Sequence, residues 1–198
     1  MDMKKMMKQA QKMQRDAAAA QQEIAAMTFE ASAGGGMVKA TATGEMAITD
    51  IRVGEADFSL DEELSRIMRE SPSAGGVASF VGLVRNKNDG AAVSRMTLEH
   101  YPGMTEKSLA KIAAAARERF HLVDVIVVHR VGELKVGDRI VLCLTSAEHR
   151  GDAFAGCEYI MDWLKTEAPF WKKEQTPDGE RWVDARESDD KARERWLV

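Results

Sequence analysis

Apolar residues at Phe154, Cys157, Met161 and Leu164 follow the three-and-four spacing of a half-buried helix, and the pattern predicts a helix over 152–166. Lys165 breaks this stripe. It follows Phe154 by eleven residues, which at 3.6 residues per turn leaves it only about 20° away around the axis. An amine at the edge of a buried face usually snorkels to water, whereas one held in a pocket has a lowered pKa suited to a base or nucleophile. Spacing alone favours snorkelling. Pro169 then forces the chain out of helical geometry, and period-two alternation puts Phe170, Lys172 and Glu174 on one side and Trp171 and Lys173 on the other. A ring beside an amine, after a helix ending in another amine, outlines a pocket for a flat anionic molecule. An amphipathic edge strand with solvated lysines fits the same pattern equally well.

The chain before this stretch divides by its periodicity. Met3, Met6, Ala10, Met13, Ala17, Ala20, Ile24 and Met27 keep an uninterrupted heptad seam, which predicts a long helix that pairs with another helix. Two alternating runs over 28–47 flank the glycines at 34–36 and predict a β-hairpin. A strand is expected over 48–54. Ser59, with Glu62 and Glu63, caps a helix running to Glu70 that turns Leu60, Leu64, Ile67 and Met68 inward. Residues 71–76 read as a loop and 77–85 as a buried strand ending in a polar turn. Alternation over 93–101 places Met96, Leu98 and His100 on one face. An alanine-rich helix over 103–120 and strands over 123–131 and 139–145, joined by a turn at 133–138, complete the series. Strands alternating with helices indicate a compact α+β fold.

Composition narrows the picture. At 198 residues and 44% hydrophobic content, the chain is large enough for one good core and a small appendage. Its net charge is −4, so no whole-surface attraction to nucleic acid is expected, and the cationic groups at His149, Arg150, Lys165, Lys172 and Lys173 gain significance. Only the first fifteen residues are basic, with five cations against one acid. Such a helix either faces nucleic acid or presents a solvated charged face. No apolar run approaches membrane-spanning length and no signal peptide is present, so a cytoplasmic location without membrane contact is expected. Cys143 and Cys157 are far apart and read as small core residues rather than metal ligands, disulfide partners or nucleophiles. His129, within a strand, reads as a structural histidine.

Two resemblances add to this reading. Residues KKMMKQAQKMQ, followed by ASAGGGMVK, resemble the front half of the YbaB/EbfC nucleoid-associated DNA-binding family over roughly 3–44. The family's further sheet and long second helix are expected to be absent. Over about 48–196, the blocks SFVGLVRN, LEHYPGMTEK, HRVGELKVGD, SAEHR, AFAGCEYIMDWLK, APFWKKE and RWVDARESD resemble, in register, the catalytic large subunit of molybdopterin synthase. Together they divide the chain into an N-terminal helix and hairpin at 1–47 and a catalytic domain at 48–198, with a mixed α/β-hammerhead-like fold.

The second resemblance implies a sulfurtransferase of molybdenum cofactor biosynthesis. It converts cyclic pyranopterin monophosphate to molybdopterin, using sulfur carried as a C-terminal Gly-Gly thiocarboxylate on a small ubiquitin-like subunit. Carried over by residue, it gives Lys165 and Lys172 as catalytic groups and Arg85, His149 and Arg150 as substrate anchors. Lys173 and Glu174 border the pocket, while Phe80, Leu83, Val84, Met161 and Phe170 line it, and Arg186 reaches a neighbouring subunit's site. The implied assembly is a homodimer within a heterotetramer, and no metal or cofactor is implied for the step. Two other functions stay open: a DNA-binding protein acting through the basic helix, and an inactive scaffold that docks a ubiquitin-like partner.

Overall fold

The computed structural model describes residues 28–33, 38–43, 48–184 and 187–197. The heptad over 3–27, the glycines at 34–36 and Arg186 lie outside these residues.

Strands β1 (Thr28–Ala33), β2 (Val38–Thr43), β3 (Ile48–Gly54), β4 (Gly76–Leu83), β8 (Asp124–Arg130) and β10 (Arg139–Ala147) form one sheet, ordered β1-β2-β3-β8-β10-β4. The alternating residues over 28–43 therefore do pair with each other, Thr28 opposite Thr43. They also continue the sheet: β2 is antiparallel to β3, which is parallel to β8. A second sheet, ordered β12-β11-β7-β9, joins β12 (Gly179–Trp182), β11 (Phe170–Thr176), β7 (Arg95–His100) and β9 (Gly132–Lys135). β5 (Lys87–Asn88) and β6 (Ala91–Ala92) make a small ribbon.

Helices cover both faces of the large sheet. The helices are α1 (Leu60–Glu70), α2 (Met104–Phe120), α3 (Arg150–Glu167) and α4 (Glu187–Glu194). Val125 and Val127 of β8 and Val141 and Cys143 of β10 pack with Leu109 and Ile112 of α2 and Ile160 and Leu164 of α3. The alternate residues Ile126, Val128, Leu142 and Leu144 pack with Phe58 and with Ile67 of α1. Strands buried on both faces read as continuous apolar runs rather than alternating ones, as DVIVVHR and RIVLCLTSA do.

The structure departs from the sequence reading at four points. The turn expected over 133–138 begins as a strand, β9, whose backbone pairs with β7. β4 is the outer strand of its sheet and not a buried one, leaving Phe80 42% and Leu83 54% exposed. In α1, Ser59 accepts from the Glu62 amide at 3.3 Å as a cap should, but Met68 faces water and Glu63 is buried. Glu63 turns inward because Arg52 and Arg66 pair with it beside the buried Asp50. In α3, Phe154 is exposed, and the buried face runs through Ala153, Gly156, Cys157, Tyr159, Ile160 and Leu164. The cause is Gly156, where a Cβ would lie 2.7 Å from Leu122. The helix approaches its neighbour through its smallest residue, which turns Phe154 outward.

Candidate active site

α3 carries cations at both ends. His149 is its N-cap and Arg150 its first residue, while Lys165 lies in its last turn. At 1.5 Å per residue these groups are about 22 Å apart along the axis. The single chain therefore separates residues that the sequence reading grouped in one cationic stretch.

At the N-terminal end, His149 and Arg150 are exposed. Gly76, the first residue of β4, lies against Arg150, and a Cβ there would be 3.6 Å from the Arg150 Cα. The strand thus starts in van der Waals contact with the helix start.

At the C-terminal end, Lys165 Nζ lies 3.3 Å from Asp189 Oδ1 of α4. The contact is one of several that strap α4 and the residues after it to α3: Arg193 meets Glu167 at 2.6 Å, Arg195 meets Asp162 at 2.6 Å, and Trp196 Nε1 donates to Asp162 at 2.8 Å. Lys165 is thus exposed and ion-paired, an arrangement close to the snorkelling the spacing suggested.

Lys172 is half-buried on β11 opposite Leu98. The expected alternation holds along this strand: Phe170, Lys172 and the buried Glu174 share one side, with the exposed Trp171 on the other. Behind this face lies His129. Its ring is stacked on Phe170 with centroids 4.0 Å apart and planes at 20°, and its Nδ1–H donates to the Arg130 carbonyl at 2.9 Å. Complete burial is the main cause holding the His129 pKa down to about 4, and the charges of Lys172 and His100 push the same way. A neutral imidazole beside an ammonium carries no repulsive charge of its own.

Glu174 joins a buried polar chain. It accepts from Asn88 Nδ2 at 2.9 Å and from Arg181 Nη2 at 3.0 Å, and Arg85 Nη2 in turn donates to Asn88 Oδ1 at 3.1 Å. Arg85 is exposed, so its guanidinium is oriented from behind by Asn88. Lys173 pairs with Glu180 at 3.2 Å and lies 5.4 Å from the Trp182 ring centroid. Among the pocket-lining candidates, Val84 is 2% exposed, Met161 and Phe170 are half-buried, and Phe80 and Leu83 face solvent from the outer strand.

Sequence reading missed Asp189, Asn88, Arg181 and the approach of His129 to Lys172. The Pro177–Gly179 turn could have revealed Arg181, because a hairpin there sets Glu174 opposite Arg181. Both cysteines are buried, and the contact with Cys157 together with complete burial pushes the Cys143 thiol well above its usual range. The contact with Cys143 holds the Cys157 thiol below its usual range, but burial of both sulfurs keeps them from an incoming substrate. Among the described residues no cluster of His, Cys, Asp and Glu could hold a metal ion, and no helix is long and apolar enough to cross a membrane.

Comparison with known proteins brings in two families. Residues 1–70 match the YbaB/EbfC DNA-binding family, a longer match than the motifs over 3–44 suggested, taking in β3 and α1. Residues 53–167 match the MoaE protein family. The molybdopterin synthase catalytic subunit of Ralstonia nicotianae is 59% identical over 148 residues, covering 75% of this chain and 84% of the relative. The solved MoaE protein of Burkholderia ambifaria is 57% identical with a TM-score of 0.65, covering 75% of this chain and 97% of its own. A complex of subunits 1 and 2 of the molybdopterin-converting factor from Helicobacter pylori shares the fold at 21% identity and a TM-score of 0.57, covering 69% of this chain and 91% of its own. With a family model spanning more than half its length and a relative at 59% identity, the chain belongs to the MoaE protein family, that of the molybdopterin synthase catalytic subunits.

Proposed function

We propose that the chain transfers sulfur from the C-terminal thiocarboxylate of a small ubiquitin-like subunit to cyclic pyranopterin monophosphate, forming the dithiolene of molybdopterin. The observation that carries this reading is the junction Lys165–Thr166–Glu167–Ala168–Pro169–Phe170–Trp171–Lys172. It closes α3 and opens β11, placing one amine on each side of a turn within a chain 59% identical to a molybdopterin synthase catalytic subunit.

Lys165 and Lys172 polarise the thiocarboxylate carbonyl, stabilise the oxyanion as sulfur leaves the acyl carbon, and move protons. Arg85, His149 and Arg150 anchor the phosphorylated pterin. Arginine's planar fork suits phosphate oxygens, and the start of α3 adds the positive end of a helix dipole to the His149–Arg150 pair. Glu174 acts by orienting Arg85 through Asn88 and by fixing Arg181, and Lys173, Phe80, Leu83, Val84, Met161 and Phe170 shape the surroundings.

A homodimer accounts for the separation along α3, because His149 and Arg150 of one subunit would serve the lysine pair of the other, with Arg186 contributing across the same contact. Each half of the dimer would then take one small subunit, whose extended Gly-Gly tail is held by main-chain hydrogen bonds. The Helicobacter pylori structure, a complex of two different subunits, supports the pairing with a second, small subunit. The catalytic unit is residues 48–198, with a hammerhead-like pairing of its two larger sheets, and works in the cytoplasm.

The test is conversion of the cyclic pterin phosphate by the purified chain with a thiocarboxylated small subunit, comparing wild type with Lys165→Ala and Lys172→Ala. Turnover that falls at least a hundredfold in either variant supports the assignment. A folded wild-type chain that binds its partner without turnover would instead support a docking scaffold.

The match of residues 1–70 to a DNA-binding family favours a second activity in the same chain. It predicts salt-sensitive DNA retention that disappears when Lys4, Lys5, Lys8 and Lys12 are neutralised.

A further inference from the structure

A fully buried carboxylate holds Ser146, three residues before the anchoring pair, though it is itself far from that pair in sequence. Asp124 opens β8 with 0% exposure. Its Oδ1 accepts from Ser71 Oγ at 2.7 Å, and its Oδ2 accepts from Ser146 Oγ, while its own amide donates back to Ser146 Oγ at 3.0 Å. Ser146 is also fully buried, and its hydroxyl spends its single proton on Asp124 while accepting from the same residue's backbone. Two hydrogen bonds between one pair of residues fix both the position and the rotation of the strand end. Ser146 is followed directly by Ala147, Glu148, His149 and Arg150.

The other side of that segment is equally constrained. The Ala147 carbonyl accepts from the Gly75 amide at 3.0 Å, and the Ser146 carbonyl accepts from the Val123 amide at 2.8 Å. A Cβ at Gly75 would lie 2.1 Å from the Glu148 carbonyl oxygen, so the two backbones meet with no room for a side chain. Ser71, the third member, is the C-cap of α1 and donates its own amide to the Ile67 carbonyl at 2.9 Å. A single carboxylate thus ties the end of α1, the start of β8 and the last turn of chain before α3.

We propose that Asp124 is a positioning residue for anion binding, holding His149 and Arg150 in register with the incoming phosphorylated substrate through Ser146. It touches no substrate itself. Buried hydrogen bonds to a charged acceptor are among the stronger ones, and a phosphate contact through a guanidinium fork tolerates little displacement. Loosening Ser146 therefore weakens substrate capture while leaving the lysines at the far end of α3 in place. The inference rests on the reading of His149 and Arg150 as phosphate anchors.

The experiment measures kcat, KM for the cyclic pterin phosphate, and Tm for the full chain with its thiocarboxylated small subunit. Wild type is compared with Asp124→Asn, Ser146→Ala and Arg150→Ala. Ser146→Ala deletes one hydroxyl and nothing else, so it keeps the test open should Asp124→Asn not fold. The expected result is a KM raised about five- to tenfold in Ser146→Ala, with kcat within about twofold of wild type. A KM that rises in Arg150→Ala but stays at the wild-type value in Ser146→Ala overturns this inference alone, whatever happens to Tm. A fall in kcat at unchanged KM overturns it too. A KM that Arg150→Ala leaves unchanged removes the anchoring role on which the inference stands.

Discussion

The imidazole of His129 is stacked on the ring of Phe170 with centroids 4.0 Å apart, which places a buried neutral histidine directly behind the strand that carries Lys172. Its pKa is about 4 in the folded chain against an ordinary value of 6.5. Between these values the unfolded chain binds a proton that the folded chain does not, so stability is fully present above about pH 6.5 and is lost as pH falls toward 4. The loss attributable to this group is about 3 kcal/mol. Urea unfolding at pH 7 and pH 4.5 measures it, and His129→Gln should flatten the difference. An unchanged pH slope in that variant would assign the acid sensitivity elsewhere.

Asp189 competes for Lys165. The pair is partly exposed, so Asp189→Asn should shift stability by no more than about 0.5 kcal/mol. It also frees an ammonium for an incoming carboxyl-type group. The expected outcome is a KM for the small subunit lowered about two- to fivefold, with Tm essentially unchanged. A raised KM would show that Asp189 holds Lys165 in its working position rather than occupying it.

Glu174→Gln should affect substrate and stability together. The change removes the charge that Arg181 meets at 3.0 Å and disturbs the acceptor of Asn88, on which the orientation of Arg85 depends. Loss of one partner of a buried charged contact costs about 1–3 kcal/mol. Thermal unfolding should report that loss, and kinetics should show a raised KM for the pterin. A variant with lowered Tm and wild-type KM would separate this network from binding.

Truncation tests the junction between the two family matches. The Burkholderia ambifaria relative is covered over 97% of its length by 75% of this chain, so about a quarter of this chain has no counterpart in that fold. Removing residues 1–27 keeps β1 and β2, whereas removing 1–47 strips β3 of its antiparallel partner and leaves a free sheet edge. The first deletion should leave Tm near the full-length value. The second should lower it by about 5 °C and increase concentration-dependent association in light scattering, with turnover retained.

Local signals made much of the chain legible. The cap at Ser59, the alternation along 170–174 and the apolar runs of β8 and β10 each follow from neighbouring residues, and the structure bears them out. Contacts between distant segments were not legible in the same way. The exposure of Phe154 depends on Gly156 meeting Leu122, and the outer position of β4 depends on which strands it lacks as neighbours. The candidate site divides along the same line. Its lysines stand out by pattern and resemblance, but the opposite placement of His149 and Lys165 on α3 emerges only when a helix length is converted into distance.

The double pairing of β3 also bears on the order in which the chain is made. Thr49 meets Thr41, already synthesised, on one side and Val125, still to come, on the other. On the ribosome, the β1–β3 meander can therefore pair while β8, the parallel neighbour of β3, is still inside the exit tunnel or unbuilt. Local pairings form early, and distant parallel ones are slow. The hairpin in front of β3 can therefore act as a template for that strand before β8 emerges to meet it.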